Sequence, residues 1–143
     1  MTHDIVRHPP QDAVTALLAA AQLPLADITP AHLEHFFGAW NGPVLDGIVG
    51  IEPLGSAALL RSLTVAAPRR GAGLGAALLA HAERYAAGRG ARDLYLLTTT
   101  ASHYFAHRRY AAIARDAAPD ALRRTAEFSA LCPSSSVLMV KHL

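Results

Sequence analysis

A single cysteine, Cys132, and a single lysine, Lys141, are all that the 143 residues hold of those two types. One cysteine excludes a disulfide within the chain and suits a reducing compartment. The shortage of lysine makes the basic set almost wholly arginine, and with 13 basic against 11 acidic residues the net charge is only +2. There is no run of like charge, and the arginines are not interleaved with aromatics along one element. Dispersed contacts with an anion are therefore expected, and a nucleic-acid partner is not. Long apolar runs are also missing. The longest, residues 13–26, carries Thr15, Gln22 and Pro24 and falls short of the roughly 20 residues that a membrane span needs. The opening MTHDIVRHPP has no apolar core of the signal-peptide kind. A soluble, cytoplasmic protein without a membrane partner is expected. Repeats and low-complexity tracts are absent apart from a surplus of alanine. What remains is apolar mass. The composition is 52% hydrophobic and 17% charged, enough for one compact core and hardly for two, so a single domain over residues 1–143 is expected.

Along the chain, residues 4–8 read as a short strand cut off by Pro9 and Pro10. Val14, Leu17, Leu18 and Ala21 then recur at helical spacing as far as Pro24. Thr29-Pro30 opens a second helix, with threonine as cap and proline in the first turn. Leu33, Phe36, Phe37 and Trp40 fall on one face of it, and it yields to a strand somewhere in residues 36–40. Asn41-Gly42 is a turn, residues 44–52 a strand, Pro53-Leu54-Gly55 a turn, and residues 56–66 a strand apolar on both faces and so central to the sheet. A helix with Leu74, Leu78, Ala82 and Tyr85 facing inward follows and ends at Gly88-Arg89-Gly90. Residues 92–98 form a strand, 101–107 a short helix, 110–115 a strand, 120–131 a helix, and 137–141 a last strand. Hairpins early and a strand–helix–strand crossover in the middle imply a mixed sheet of the α+β (mixed α/β) class.

The junction VAAPRRGAGLGAALL, residues 65–79, sets arginines and three alternating glycines between strand and helix. A helix that starts just after a buried strand aims unpaired N–H groups and the positive end of its dipole beyond its first turn. An anion fits there. Gly71, Gly73 and Gly75 take away side chains that would keep the anion off those groups, and Arg70 adds a forked cation suited to phosphate. The plainer alternative is a glycine-eased turn with two surface arginines. Two familiar phosphate loops fail on spacing. The third glycine comes one residue early for G-x-G-x-x-G, and the GK[ST] ending of a triphosphate loop is missing.

What fits is R-x-x-G-x-G, as Arg70, Gly73 and Gly75 after the strand LRSLTV and a proline. This resembles the acetyl-CoA-binding signature of the GNAT family of N-acetyltransferases, and the likeness in element order runs from about Gly47 through Tyr110. The resemblance implies the GNAT acyl-CoA N-acyltransferase fold, a central mixed twisted sheet of six to seven strands flanked by helices. It implies acetyl-CoA as cosubstrate and no metal. By position, Arg70, Gly71, Ala72, Gly73, Leu74 and Gly75 would hold the diphosphate, Leu63 and Val65 would pair with the pantetheine arm, and the Val65 N–H would serve the developing oxyanion. Ligands are expected at the carboxyl ends of the two parallel strands ending near Val65 and Thr98.

Many members carry a tyrosine acid five residues before an aromatic, in a pattern like Y-e-k-l-G-F. Here the segment is YFAHRRYAAI. Counting back from Tyr110, that position is Phe105 and the glycine position is Arg109. Tyr104, one residue and about 100 degrees away on a helix, is the candidate acid, a packing tyrosine being the alternative. Phe105, His107 and Arg108 are carried over as coenzyme contacts. Glu52 is the candidate base, acting through water, against the plainer reading of a solvated carboxylate at a hairpin end. Arg61 and Ser62 are candidate acceptor contacts, Arg61 as a grip on a carboxylate or as a sheet-surface residue. His103 and His107, at i and i+4, lack a third ligand nearby, so no metal site is expected. Cys132 reads as a nucleophile for a ping-pong route, as a thiol that meets arsenic, or as a small buried hydrophobe.

The segments LYLLTTTASHYFAHRRY and TAEFSALCPSSSVLMVK resemble the GNAT subgroup found with arsenic-resistance genes, and the threonine-rich core is similar to acetylglutamate synthases. The implied activity is acetyl transfer to a small-molecule amine, an amino acid or amino-acid-like toxin, by direct attack in a ternary complex, in a homodimer. A non-catalytic acyl-CoA sensor and a protein N-acetyltransferase are the alternatives.

Overall fold

The computed structural model describes residues 3–23, 28–131 and 135–143. Seven strands form one sheet in the order β1-β2-β3-β4-β5-β7-β6. They are β1 (Asp4–Arg7), β2 (Phe36–Asn41), β3 (Val44–Leu54), β4 (Ala57–Val65), β5 (Asp93–Thr98), β6 (Ala111–Ile113) and β7 (Val137–His142). The helices are α1 (Gln11–Ala20), α2 (Pro30–Leu33), α3 (Leu74–Gly88), α4 (Ser102–Ala106) and α5 (Asp120–Arg123). The sheet is mixed, as its residues imply. β1 with β2, β2 with β3, β5 with β7 and β6 with β7 are antiparallel, whereas β4 and β5 are parallel and joined by α3. β4 is the middle strand.

Packing divides the chain into two compact units, Met1–Glu52 with Leu60–Tyr85, and Pro53–Leu59 with Ala86–Leu143. The first is built round Val14, Leu18, Ile28, Leu33, Phe36 and Ile48. Its second helix is short. Thr29 caps it and His32 closes the reciprocal bond, but the chain turns into β2 by Phe36, because Phe36 and Phe37 are buried there between β1 and β3. The face that Phe36, Phe37 and Trp40 share with Leu33 in a helical count is thus not used. Phe36 stands opposite Gly50, and a Cβ there would lie 2.4 Å from the Phe36 ring, so glycine is what lets the ring settle on the neighbouring strand. Phe37 meets His81 and Tyr85 of α3 at ring-centroid distances of 4.5 and 4.9 Å. Burial, and then Arg84, push the His81 pKa down, which favours the neutral form of the imidazole that packs on Phe37.

The second unit centres on Leu59, Ala118, Leu122 and Leu138. α3 ends as its glycines imply, with the Ala91 N–H bonded back to the Ala86 carbonyl and Gly90 at φ +94°. The helix expected over residues 120–131 is broken into α5 and a π-helical turn, Glu127–Leu131. The cause is Thr125. Its hydroxyl donates to the Leu122 carbonyl at 2.7 Å and accepts the Phe128 N–H at 3.3 Å, replacing the regular ladder. β3 also runs on through Pro53, and the turn follows at Gly55, φ +73°. Cys132 lies outside the described residues.

Candidate functional site

β4 changes character along its length. Ala58, Leu59, Leu60 and Arg61 are buried, but Ser62, Leu63 and Val65 are half open. The change falls at Ser62, which has φ +61°, a left-handed conformation that costs a serine about 1 kcal/mol or more. Two local bonds hold it. Arg61 Nε donates to Ser62 Oγ at 3.1 Å, and Thr64 Oγ1 donates to the Ser62 carbonyl at 3.1 Å.

Arg61 is far from a surface arginine, its side chain being 0% exposed. The carboxylate it grips is that of Glu52, with Nη1 to Oε2 at 3.4 Å. Glu52 is 16% exposed and also lies 3.5 Å from His32 Nε2, so it is a held carboxylate inside β3 rather than a solvated one at a hairpin end. Glu52, the candidate base, and Arg61 and Ser62, the candidate acceptor contacts, form one connected group.

At the end of β4 the chain makes a tight turn, Ala67–Arg69, before the glycines. Arg70 is exposed, and its Nε donates to the Val65 carbonyl at 3.1 Å. Gly71 and Gly73 have φ of +84° and +85°, and nothing lies within 4 Å of where a Cβ would stand on either. These glycines serve a backbone shape, and the space outside them is open. The Gly73 carbonyl accepts the Ala77 N–H at 3.1 Å and closes the first turn of α3, so the amides just after Gly73 are those that a helix leaves without a partner of its own. A bend bearing an arginine, an open outer face and a helix start can hold an anion.

Asp46 was not picked out by the sequence. It is 4% exposed in β3; its carboxylate receives Arg69 Nε at 3.1 Å and lies 2.8 Å from His3 Nε2. Its carbonyl accepts the Ala66 N–H at 2.7 Å. Arg69 and Arg70 are thereby unlike. The first is matched by a buried carboxylate, and the second is turned outward.

The remaining candidates belong to the other unit. Phe105 is buried, 7% exposed, and packs on Tyr110 at 5.6 Å between centroids, so its ring is part of the core. Tyr104 is half-buried, with the Arg108 guanidinium over its ring at 3.9 Å. His107 and His103 are exposed, their Nε2 atoms 3.0 Å apart. Arg109, in the glycine place of the tyrosine-bearing pattern, has φ +73°, so the backbone keeps a glycine-like bend under an arginine. Among the described residues no group of three or more His, Cys, Asp or Glu side chains could hold a metal ion, and no helix is long and apolar enough to cross a membrane.

The sequence matches the family described as "Acetyltransferase (GNAT) family" over residues 4–113. No curated protein matches it. Among solved structures, N-acetylglutamate synthase from Neisseria gonorrhoeae, complexed with coenzyme A and N-acetyl-glutamate, is similar at 22% identity and a TM-score of 0.85. The match covers 100% of this chain but 35% of that one, so the chain spans about a third of that protein's length. An acetyltransferase of the GNAT family from Staphylococcus aureus Mu50 is similar at 15% identity and a TM-score of 0.81, over 99% of both chains. A Mycobacterium tuberculosis protein in complex with CoA is similar at 17% identity and 0.78, over 98% of this chain and 99% of that one.

Proposed function

The chain belongs to the GNAT family of acetyltransferases, and from that premise we propose that it carries acetyl from acetyl-CoA to the amine of an amino acid or amino-acid-like toxin by direct attack in a ternary complex. The observation that carries the reading is the junction after β4, where an exposed arginine and two left-handed glycines lead into a helix start. Acetyl-CoA, when bound, supplies a thioester carbonyl open to attack by an amine and a thiolate that leaves readily.

The chain's own residues then have separable tasks. Arg70 and the amides following Gly73 bind the diphosphate. Leu63 and Val65 offer main-chain groups to the pantetheine arm, from the half-open end of β4. The Val65 N–H donates to the developing oxyanion, a role that needs no side chain. An amine with a pKa of about 10 has to lose a proton first, and Glu52, held in place by Arg61, accepts it through water. Ser62 orients the acceptor. Arg61 positions Glu52 and is not itself the grip on a substrate carboxylate. Support for an amino-acid acceptor comes from the likeness to the Neisseria synthase solved with N-acetyl-glutamate. A cytoplasmic homodimer acting in arsenic resistance completes the proposal.

The test is a thiol-release screen of amino acids, their analogues and short peptides. Saturable release with at least one amino-acid amine is expected, with Glu52→Gln lowering kcat about a hundredfold and leaving KM for acetyl-CoA unchanged. Release no faster than hydrolysis with every amine would make the protein an acyl-CoA sensor. Release with peptides alone would move the acceptor to protein.

A further inference from the structure

The acetyl-transfer reading gives Asp46 no task, yet Asp46 is a nearly inaccessible carboxylate on β3. A buried carboxylate is costly unless cations and donors satisfy it, and an apolar residue of similar size would often serve stability as well. Its use therefore has to be sought in what it orients.

Of the partners of Asp46, His3 lies before β1, and the other two, Arg69 and Ala66, bear on one end of the coenzyme loop. The carboxylate holds Arg69, the last residue of the tight turn, at 3.1 Å. The carbonyl holds the Ala66 N–H, the first amide after β4, at 2.7 Å. The Ala66 carbonyl in turn accepts the Arg69 N–H at 2.8 Å, so Asp46 grips both ends of the turn. The adjoining residue bears on the loop's other end. A Cβ at Gly47 would stand 2.8 Å from Leu78 Cδ1 and 3.4 Å from Leu74 Cδ2, on the first turns of α3, and 3.2 Å from the Thr64 carbonyl of β4. Two neighbouring residues of β3 thus fix where the chain enters the loop and where it leaves. Only the exposed residues 70–73 lie between.

We infer that Asp46 is a positioning residue for coenzyme binding, acting through Arg69 and Ala66 to hold the loop in the shape that presents Arg70 and the amides after Gly73 to a diphosphate. Binding then orders little that is not already ordered, which is where preorganisation gains affinity. Asp46 also matches the charge of Arg69, leaving Arg70 as the arginine of the pair that meets the anion.

The inference rests on the reading of this loop as the coenzyme site, and one experiment separates the two. CoA is titrated calorimetrically into the wild type, Asp46→Asn, Arg69→Ala, the double variant and Arg70→Glu, and amide hydrogen exchange is followed in each ligand-free protein. Asp46→Asn and Arg69→Ala should each weaken CoA binding about tenfold. The double variant should be no weaker than either single one, because they lie on one path. Exchange should quicken over residues 66–75 and keep wild-type protection over residues 78–86 of the same helix. Affinity for Asp46→Asn within about twofold of wild type, with Arg70→Glu binding lost, overturns the inference and leaves the loop reading intact. Exchange quickened evenly across the chain overturns it as well, since a merely structural aspartate would give that result. If Asp46→Asn does not fold, Arg69→Ala, whose side chain is 34% exposed, decides by the same two readouts. A wild type that takes up no CoA overturns both readings.

Discussion

Arg70→Glu will weaken binding of CoA about a hundredfold, measured by titration calorimetry at low salt. Arg70 follows the tight turn with extended backbone, φ −66° and ψ 147°, and its guanidinium is steered by the bond from Nε to the Val65 carbonyl. The charge is thus set at the half-open end of β4, beside the main-chain groups assigned to the pantetheine arm. A glutamate there removes a forked donor and places negative charge against the diphosphate. Because Arg70 is exposed, the repulsion is screened over a Debye length of about 10 Å at 0.1 M salt. The deficit should therefore shrink as salt is raised, which a loss caused by misfolding would not do. Arg92→Glu, with the same change of charge at an exposed arginine just before β5, should bind as the wild type does. Equal affinities for the two variants would remove the loop from the coenzyme site.

The junction was legible because glycine marks left-handed backbone in the sequence itself. Gly71, Gly73 and Gly90 all have strongly positive φ, and each sits where a turn or helix end was read. Ser62 has the same kind of conformation and leaves no mark, since a serine in LRSLTV reads as an ordinary strand residue. Its φ is imposed by Arg61 and Thr64 through bonds that spacing cannot reveal. Asp46 was hidden for a related reason. An aspartate between Leu45 and Gly47 looks like a solvent-facing position, and its partners His3 and Arg69 are 43 and 23 residues away. The sequence offers Arg61 and Glu52 singly, and their pairing depends on the register of β3 against β4.

Element types followed periodicity closely where one pattern fitted, as in α3. They blurred where two fitted. Residues 36–40 satisfy a helical count and a strand equally, and pairing on both sides, with β1 and β3, settled the matter for the strand. Over residues 120–131 the apolar spacing is helical throughout, but the Thr125 hydroxyl takes the Phe128 N–H and bonds the Leu122 carbonyl where the segment divides.

Arg61→Ala will cost about 3 kcal/mol of stability, read from urea unfolding, because it strips a mostly buried carboxylate of its cation and leaves a void where a fully covered side chain stood. The figure is at the low end for a broken buried pair, since Glu52 keeps 16% exposure and has His32 Nε2 at 3.5 Å. Arg61→Met with Glu52→Leu should regain part of the loss, as apolar pairs of similar volume often replace buried ions without penalty. Turnover should not follow stability in that double variant. Arg61 also holds Ser62 Oγ, and without that bond Ser62 is free to leave its strained conformation, shifting the amide of Val65 that is assigned to the oxyanion. Thiol release should accordingly stay low in both variants, at a temperature where both are folded. A double variant with wild-type turnover would show that neither the carboxylate nor the bend at Ser62 takes part in the reaction, and Arg61→Ala within about 1 kcal/mol of wild type would show that the pair contributes no more than a surface salt bridge does.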